Sequence, residues 1–270
     1  MQVVMYVLGE FVIEHQRGVK NIQKEVEHLP NDNDFARQQR IAKTILDEKV
    51  QERLLQVAAE CFDPSKIYLD AEEETAMQNV FSSTPKPLVL VIDPIDGTLR
   101  YLLGEDGFSI CVGLIENGAI TASLVYFPSR KEFYFIKNGY VYCKQGNKLL
   151  KLSAPKEKDD LSIYMNSRVV GRVVSNLYRQ GFKLTSDTDG LVSWPDALIK
   201  CIKGEYGACI FHTPQVRDIL LGTMISKMAG GYACDWQGDP IIWPSGGRIP
   251  RIVFGFNPKS LDMFSCLQDI

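Results

Sequence analysis

The stretch Pro87 to Thr98, PLVLVIDPIDGT, constrains this chain more than any other. Leu88 to Ile92 are five consecutive apolar residues rich in β-branched types, the pattern of a strand covered on both faces. Asp93, Asp96 and Gly97 follow, where the chain is expected to leave the sheet. A strand end is rigid, so carboxylates placed there are held still. Clustered, acceptor-only oxygens suit a hard divalent cation such as Mg²⁺, which takes near-octahedral oxygen ligation. Pro94 fixes its own φ and lacks an N–H, and Gly97 presents a backbone with no Cβ to block a ligand. Gly97 and Thr98 then offer N–H groups and a hydroxyl suited to a phosphate. An Asp-Gly pair alone is commonly just a turn. The whole D-P-I-D-G-T string behind an apolar strand reads as a metal-and-phosphate site.

Further strand signals run from Leu88 to Leu152: LVLVI, FSICVGLI, AITASLVYF, EFYFIKNG and YVYCK. Glu116-Asn117-Gly118 and Lys137-Asn138-Gly139 carry the Asn-Gly hairpin signal, so this run is antiparallel. Upstream, Ala36 to Phe62 reads as a long amphipathic helix, with Ile41, Ile45, Val50, Leu54, Val57 and Ala58 close to helical spacing. Ser153 to Asp160 is polar, lysine-rich and holds Pro155, which makes it the crossover between two domains, 1–155 and 156–270. Beyond it strand-like and helix-like stretches alternate as in an α/β layer. The expected class is α+β followed by α/β.

With 270 residues the chain can bury a sizeable core. Its net charge of −3 argues against a general nucleic-acid surface. No apolar run approaches the ~20 residues that span a bilayer, which leaves no membrane partner to expect. MQVVMYVLGEFVI has no basic leader and carries Glu10, followed by Glu14, so it is a poor signal peptide. The seven cysteines form no C-x-x-C pair, and most sit in apolar surroundings, as expected for buried free thiols in a reducing cytoplasm. The three histidines, at 15, 28 and 212, have no paired ligand spacing for zinc.

DPIDGT resembles the signature of the inositol monophosphatase superfamily, the Mg²⁺-dependent, Li⁺-sensitive phosphatases whose relatives include fructose-1,6-bisphosphatases and phosphoadenylate phosphatases. Three further pieces agree in order. Thr44-Ile45-Leu46-Asp47 is similar to the family's T-x-x-D, Ala71-Glu72-Glu73 to its G-E-E, and Asp218 in QVRDILLGTMISKMAGG to the aspartate of its W-D-x-A-A-G segment. Three positions depart from the pattern: Arg217 stands where the family usually has Trp, Ala71 where it has Gly, and Arg100 where it often has Asn.

The resemblance implies a five-layer αβαβα sandwich of the sugar-phosphatase type, with the site between an N-terminal α+β half and a C-terminal α/β half. It implies two or three Mg²⁺ ions held by Glu72 (with Glu73 as the alternative), Asp93, the Ile95 carbonyl, Asp96 and Asp218. It assigns activation of the attacking water to Thr98 with Asp47, and in-line hydrolysis of a small phosphate monoester. A metal cluster neutralises crowded carboxylates, polarises phosphoryl oxygens and acidifies water, which is what so slow a reaction needs. Members are often homodimers, and no segment here identifies an interface.

Two competing readings follow from the same residues. Haloacid-dehalogenase-type phosphatases need their aspartates as D-x-D, whereas Asp93 and Asp96 are three apart with proline between. A catalytically weak relative that binds metal or phosphate ligands as a regulatory protein is suggested by Arg100 and Arg217, and opposed by the full set of carboxylates. For the substrate, a small phosphorylated metabolite, Gly97, Thr98, Arg100 and Arg168 are the expected contacts. Arg168 could equally form a surface ion pair. A guanidinium at Arg100 favours a doubly charged ester such as a sugar bisphosphate or phosphoadenylate. Ser186-Asp187-Thr188-Asp189-Gly190 lacks the remaining ligands of a calcium loop and reads as a polar loop. Trp194-Pro195-Asp196 reads as a helix start, with Asp196 a first-turn charge.

Overall fold

In the computed structural model the described residues are 1–18, 45–155, 162–169, 171–186, 193–244, 247–256 and 263–267. Two sheets divide them. The first has seven strands in sequence order: β1 (Ile67–Ala71), β2 (Leu88–Asp96), β3 (Ser109–Glu116), β4 (Ala119–Phe127), β5 (Glu132–Lys137), β6 (Tyr140–Gln145) and β7 (Lys148–Lys151). β1 pairs with β2 in parallel, and every later pair is antiparallel. The Asn-Gly signals form the expected turns. Asn117 and Gly118 take φ of 52° and 77°, and Asn138 and Gly139 take 52° and 76°, the left-handed pair that matches the twist of the flanking strands.

Strand β2 explains the layering. Leu90 and Ile92 face one core, with Val50, Leu54 and Ala58 of helix α2 (Ile45–Cys61) and Leu8 and Val12 of helix α1 (Gln2–Gly18). Val89 and Val91 face the opposite core. Alternate side chains of a strand point to opposite faces, so an all-apolar run is buried only between two layers. The predicted helix face is present at Val50, Leu54, Val57 and Ala58. Its residues 36–44, with Thr44, lie outside the described residues, as do Asp187 to Gly190 and 156–161 of the crossover.

The second sheet has the order β11-β12-β10-β8-β9, built from β8 (Ser162–Met165), β9 (Lys183–Ser186), β10 (Ala208–His212), β11 (Tyr232–Cys234) and β12 (Arg251–Gly255). β8 is parallel to β9 and β10, and β12 runs antiparallel to β10 and β11. Short helix α3 (Thr98–Leu102) follows β2, and α4 (Gly171–Arg179) follows β8. Between the sheets lie α5 (Trp194–Ile202) and a 3₁₀-wound segment, Arg217–Lys227. Their Leu198, Ile202, Leu220 and Met224 share one core with Val125 and Phe127 of the first sheet and Phe211 and Phe254 of the second. Outside the second sheet, α4 and α6 (Phe264–Leu267) close a third core through Val173, Leu177 and Leu267. The five-layer αβαβα sandwich is therefore present.

The 3₁₀ segment fits between two sheets because Gly222 has no side chain: a Cβ there would stand 2.6 Å from the Phe254 ring. Six described cysteines are free thiols, all buried except Cys61. None of the described helices is long and apolar enough to cross a membrane.

Candidate metal and phosphate site

The sequence pattern places the end of the sheet at Asp93, but β2 continues through Asp96. Asp93 pairs with Cys111 and Asp96 with Ser109, so three steps on β2 oppose two on β3. That extra residue is a β-bulge, and Pro94, which has no N–H to give to the ladder, sits inside it. In a regular strand residues three apart face opposite sides. The bulge cancels this and brings both aspartates to one place. Asp218 arrives from the third layer, at the head of the 3₁₀ segment, and accepts the Gln215 N–H at 3.3 Å. One carboxylate oxygen from each of Asp93, Asp96 and Asp218 lies within 4.8 Å of the others.

These acids are crowded, with Asp93 buried and Asp96 and Asp218 half-buried. Asp93 is 2% exposed, and Asp93 Oδ1 and Asp96 Oδ2 are buried with no hydrogen-bond partner among the described residues. Burial first, and then the neighbouring carboxylates, push Asp93 and Asp96 well above the usual value of 3.8. Asp218 is pushed up to about 7, by burial against the pull of Arg217, with Glu72 adding to the rise. Orphaned buried acceptors of one sign call for a cation. Their all-oxygen chemistry fits Mg²⁺ or a similar hard ion.

The two glutamates part company. Glu72 is exposed, and its charge is felt at Asp93, Asp96 and Asp218. Glu73 is buried, with its N–H donating to Gln51 Oε1 at 2.9 Å and its carbonyl accepting from the Gln51 and Gln78 amides. Gln51, fully buried on α2, thus holds the backbone that carries both glutamates. The sequence carried a signal for it: Asp47 and Gln51 are two polar residues at i, i+4 on the apolar stripe of α2.

Gly97 takes φ of 86°, a conformation that leaves β2 and opens α3 at Thr98. Thr98 Oγ1 lies 2.8 Å from the Ile95 carbonyl and 3.4 Å from Asp47 Oδ1. Asp47 is 1% exposed and occupies the first turn of α2, where the helix N-terminus favours an anion.

The arginines take different directions. Arg100 Nη1 donates to the Asp106 carbonyl at 2.8 Å, folding over the loop after α3. Arg168 Nη1 donates to the Thr213 carbonyl at 2.8 Å and lies over the Trp194 ring at 5.7 Å, and its charge reaches Asp218. Arg217 pairs with Asp70 at 3.3 Å. Asp70, which no motif singled out, also accepts the Gly247 N–H at 3.1 Å. Asp196 sits in the first turn of α5 behind its Ser193 cap and is buried in an ion pair with Arg130 at 2.6 Å.

Comparison with known proteins bears on the family and the fold. A model of the Inositol monophosphatase family matches residues 5–252. Inositol-1-monophosphatase ImpA of Mycolicibacterium smegmatis is 29% identical over 164 residues, 57% of this chain and 58% of ImpA. Nus factor SuhB of Xylella fastidiosa is 27% identical over 159 residues, 56% of each chain. The chain thus spans little more than half the length of these curated relatives. A crystal structure of IMPase/NADP phosphatase complexed with Mg²⁺ and phosphate matches with a TM-score of 0.66 at 21% identity, covering 83% of this chain and 81% of that one, a likeness of fold. With the family model running from residue 5 to residue 252, across both sheets and the carboxylates they bring together, the chain belongs to the inositol monophosphatase family.

Proposed function

We propose that this protein is a divalent-cation-dependent phosphatase acting on a small phosphate monoester. One observation carries the reading: two buried, unpartnered oxygens, Asp93 Oδ1 and Asp96 Oδ2, in a cluster that Asp218 completes. We assign the metal ligands to Asp93, Asp96, Asp218, the Ile95 carbonyl and Glu72. Glu72 is preferred to Glu73 because its charge is felt at all three aspartates, whereas Glu73 is buried behind Gln51. Mg²⁺, as two or three ions, would supply neutralisation of these acids, polarisation of phosphoryl oxygens and an acidified water.

The chain's own residues do the rest. The Thr98 hydroxyl has one proton and two acceptors in reach, the Ile95 carbonyl and Asp47. A hydroxyl can take a proton from water only by handing its own to a base, and the carboxylate is the stronger base of the two. Gly97 and the head of α3 offer backbone N–H groups without intrahelical acceptors to phosphoryl oxygens. Arg168, stacked on Trp194 and felt at Asp218, is assigned to the alcohol side of the ester. Arg100 acts on substrate through the loop it holds. The free thiols support a reducing cytoplasm as its location.

A second reading, a regulatory protein that binds metal or phosphate without turnover, is favoured by the relatives named as Nus factors. Phosphate release separates the two, measured with Mg²⁺, with EDTA and with added Li⁺ on inositol 1-phosphate, fructose 1,6-bisphosphate and 3′-phosphoadenosine 5′-phosphate. Mg²⁺-dependent, Li⁺-inhibited release supports the phosphatase. A folded protein that binds Mg²⁺ and releases nothing supports the regulator.

A further inference from the structure

Arg217 stands immediately before Asp218, inside the margin of the carboxylate cluster. Its Nη1 is 3.3 Å from Asp70 Oδ1, and its Nε is 4.0 Å from Asp218 Oδ1. The side chain is 16% exposed, and Nε is buried without a hydrogen bond to any described residue. Asp218, Glu72, Asp93 and Asp70 all act on this one charge. Asp70 is itself fixed by the Gly247 N–H, so the guanidinium is anchored to β1 and cannot easily swing away.

A guanidinium stays protonated at every working pH. Here it sets a permanent positive charge against acids that crowd within 4.8 Å of one another. A single charge of that kind relieves the repulsion among the carboxylates. It also repels an incoming divalent ion, twice as strongly as it would repel another monovalent one. We infer that Arg217 is a resident counter-cation of the cluster, holding the acids together without metal and weakening their grip on divalent ions until an anionic phosphate joins them. This rests on the metal reading above. In consequence metal and phosphate binding reinforce each other, because the phosphate's negative charge offsets the Arg217 charge that opposes the metal.

The test is calorimetric titration of the whole chain with Mg²⁺, and with Mn²⁺ as a second probe, with and without inorganic phosphate. Wild type is compared with Arg217→Met, Arg217→Gln and Arg217→Lys, and thermal melts are recorded in EDTA and in Mg²⁺. The neutral variants are expected to bind Mg²⁺ at least tenfold more tightly, to melt lower without metal and to gain more on adding it. Arg217→Lys, which keeps the charge, is expected to stay within threefold of wild type. Added phosphate should tighten Mg²⁺ binding more in wild type than in the neutral variants. If Arg217→Met does not fold, Arg217→Gln, which keeps a hydrogen-bonding group for Asp70, decides alone. Mg²⁺ affinity unchanged within twofold in the neutral variants, with lower melting in both buffers, would make Arg217 a structural tie and overturn the inference alone. No Mg²⁺ or Mn²⁺ binding by wild type or any variant would overturn the metal reading and the inference together.

Discussion

The Thr98 hydroxyl lies 3.4 Å from Asp47 Oδ1, joining the head of α3 to the first turn of α2 across 51 residues of chain. If the two act as one proton relay, Thr98→Ala and Asp47→Asn each lower kcat by about 100-fold or more. The double variant then loses little beyond either single one, because removing one member already disables the unit. Thr98→Ser keeps the hydroxyl and is expected to recover much of the activity. Steady-state phosphate release measures all four, and losses that multiply would show that the residues act separately.

Asp93 is buried among like charges with one oxygen unpartnered, so its charge opposes folding of the metal-free protein. Asp93→Asn is expected to stabilise the metal-free chain by roughly 1–3 kcal/mol while abolishing most of the stabilisation by Mg²⁺ and most of kcat. Thermal melts in EDTA and in Mg²⁺ check both signs at once. A variant that melts lower in EDTA and still gains from Mg²⁺ would show that Asp93 is not a ligand.

The same crowding sets a pH dependence. Asp93 and Asp96 are held well above 3.8, and Asp218 at about 7, by burial first and by neighbouring charges after it. Between pH 4 and 7 the folded state therefore binds more protons than the unfolded chain, and stability falls as pH rises. In EDTA, this cluster is expected to make the protein melt higher at pH 5 than at pH 7. In Mg²⁺ the order reverses, because ligation requires the deprotonated carboxylates. Parallel curves in the two buffers would refute this.

Arg130 ties the layers near the site. It donates to Asp106 at 2.8 Å and to Asp196 at 2.6 Å, linking the turn after β4, the loop held by Arg100 and the first turn of α5. Arg130→Met leaves Asp196 buried with Lys200, at 3.9 Å, as its counter-charge among the described residues. Breaking a buried pair on one side costs about 3 kcal/mol. A fall in unfolding free energy of that size, read from denaturant titrations, is expected, while Asp196→Asn in the same background should recover part of it. No recovery would place the cost in lost packing instead.

Much of this architecture was legible in the residues. The Asn-Gly turns at 117–118 and 138–139 adopt the left-handed pair because those residue types tolerate it, a preference written into two adjacent positions. β2 reads as buried on both faces because its apolar run admits no wet side. DPIDGT named the two aspartates and the threonine, although the bulge that aligns Asp93 with Asp96 emerged only from the pairing with β3.

What the sequence by itself determined is local: which segments are strands, where the hairpins turn, and that carboxylates of metal-ligand type sit at the end of a buried strand. The tertiary structure decided which groups meet. Arg217 and Asp70 are 147 residues apart, and Glu73 and its Gln51 clamp are 22 apart. The spacing marks Gln51 as polar on an apolar stripe without naming its partner, and nothing beside Arg217 in sequence points to Asp70. Those contacts exist because five layers stack with the third wedged between two sheets, and a charge carried into that interior takes its partner from whichever element packing brings alongside.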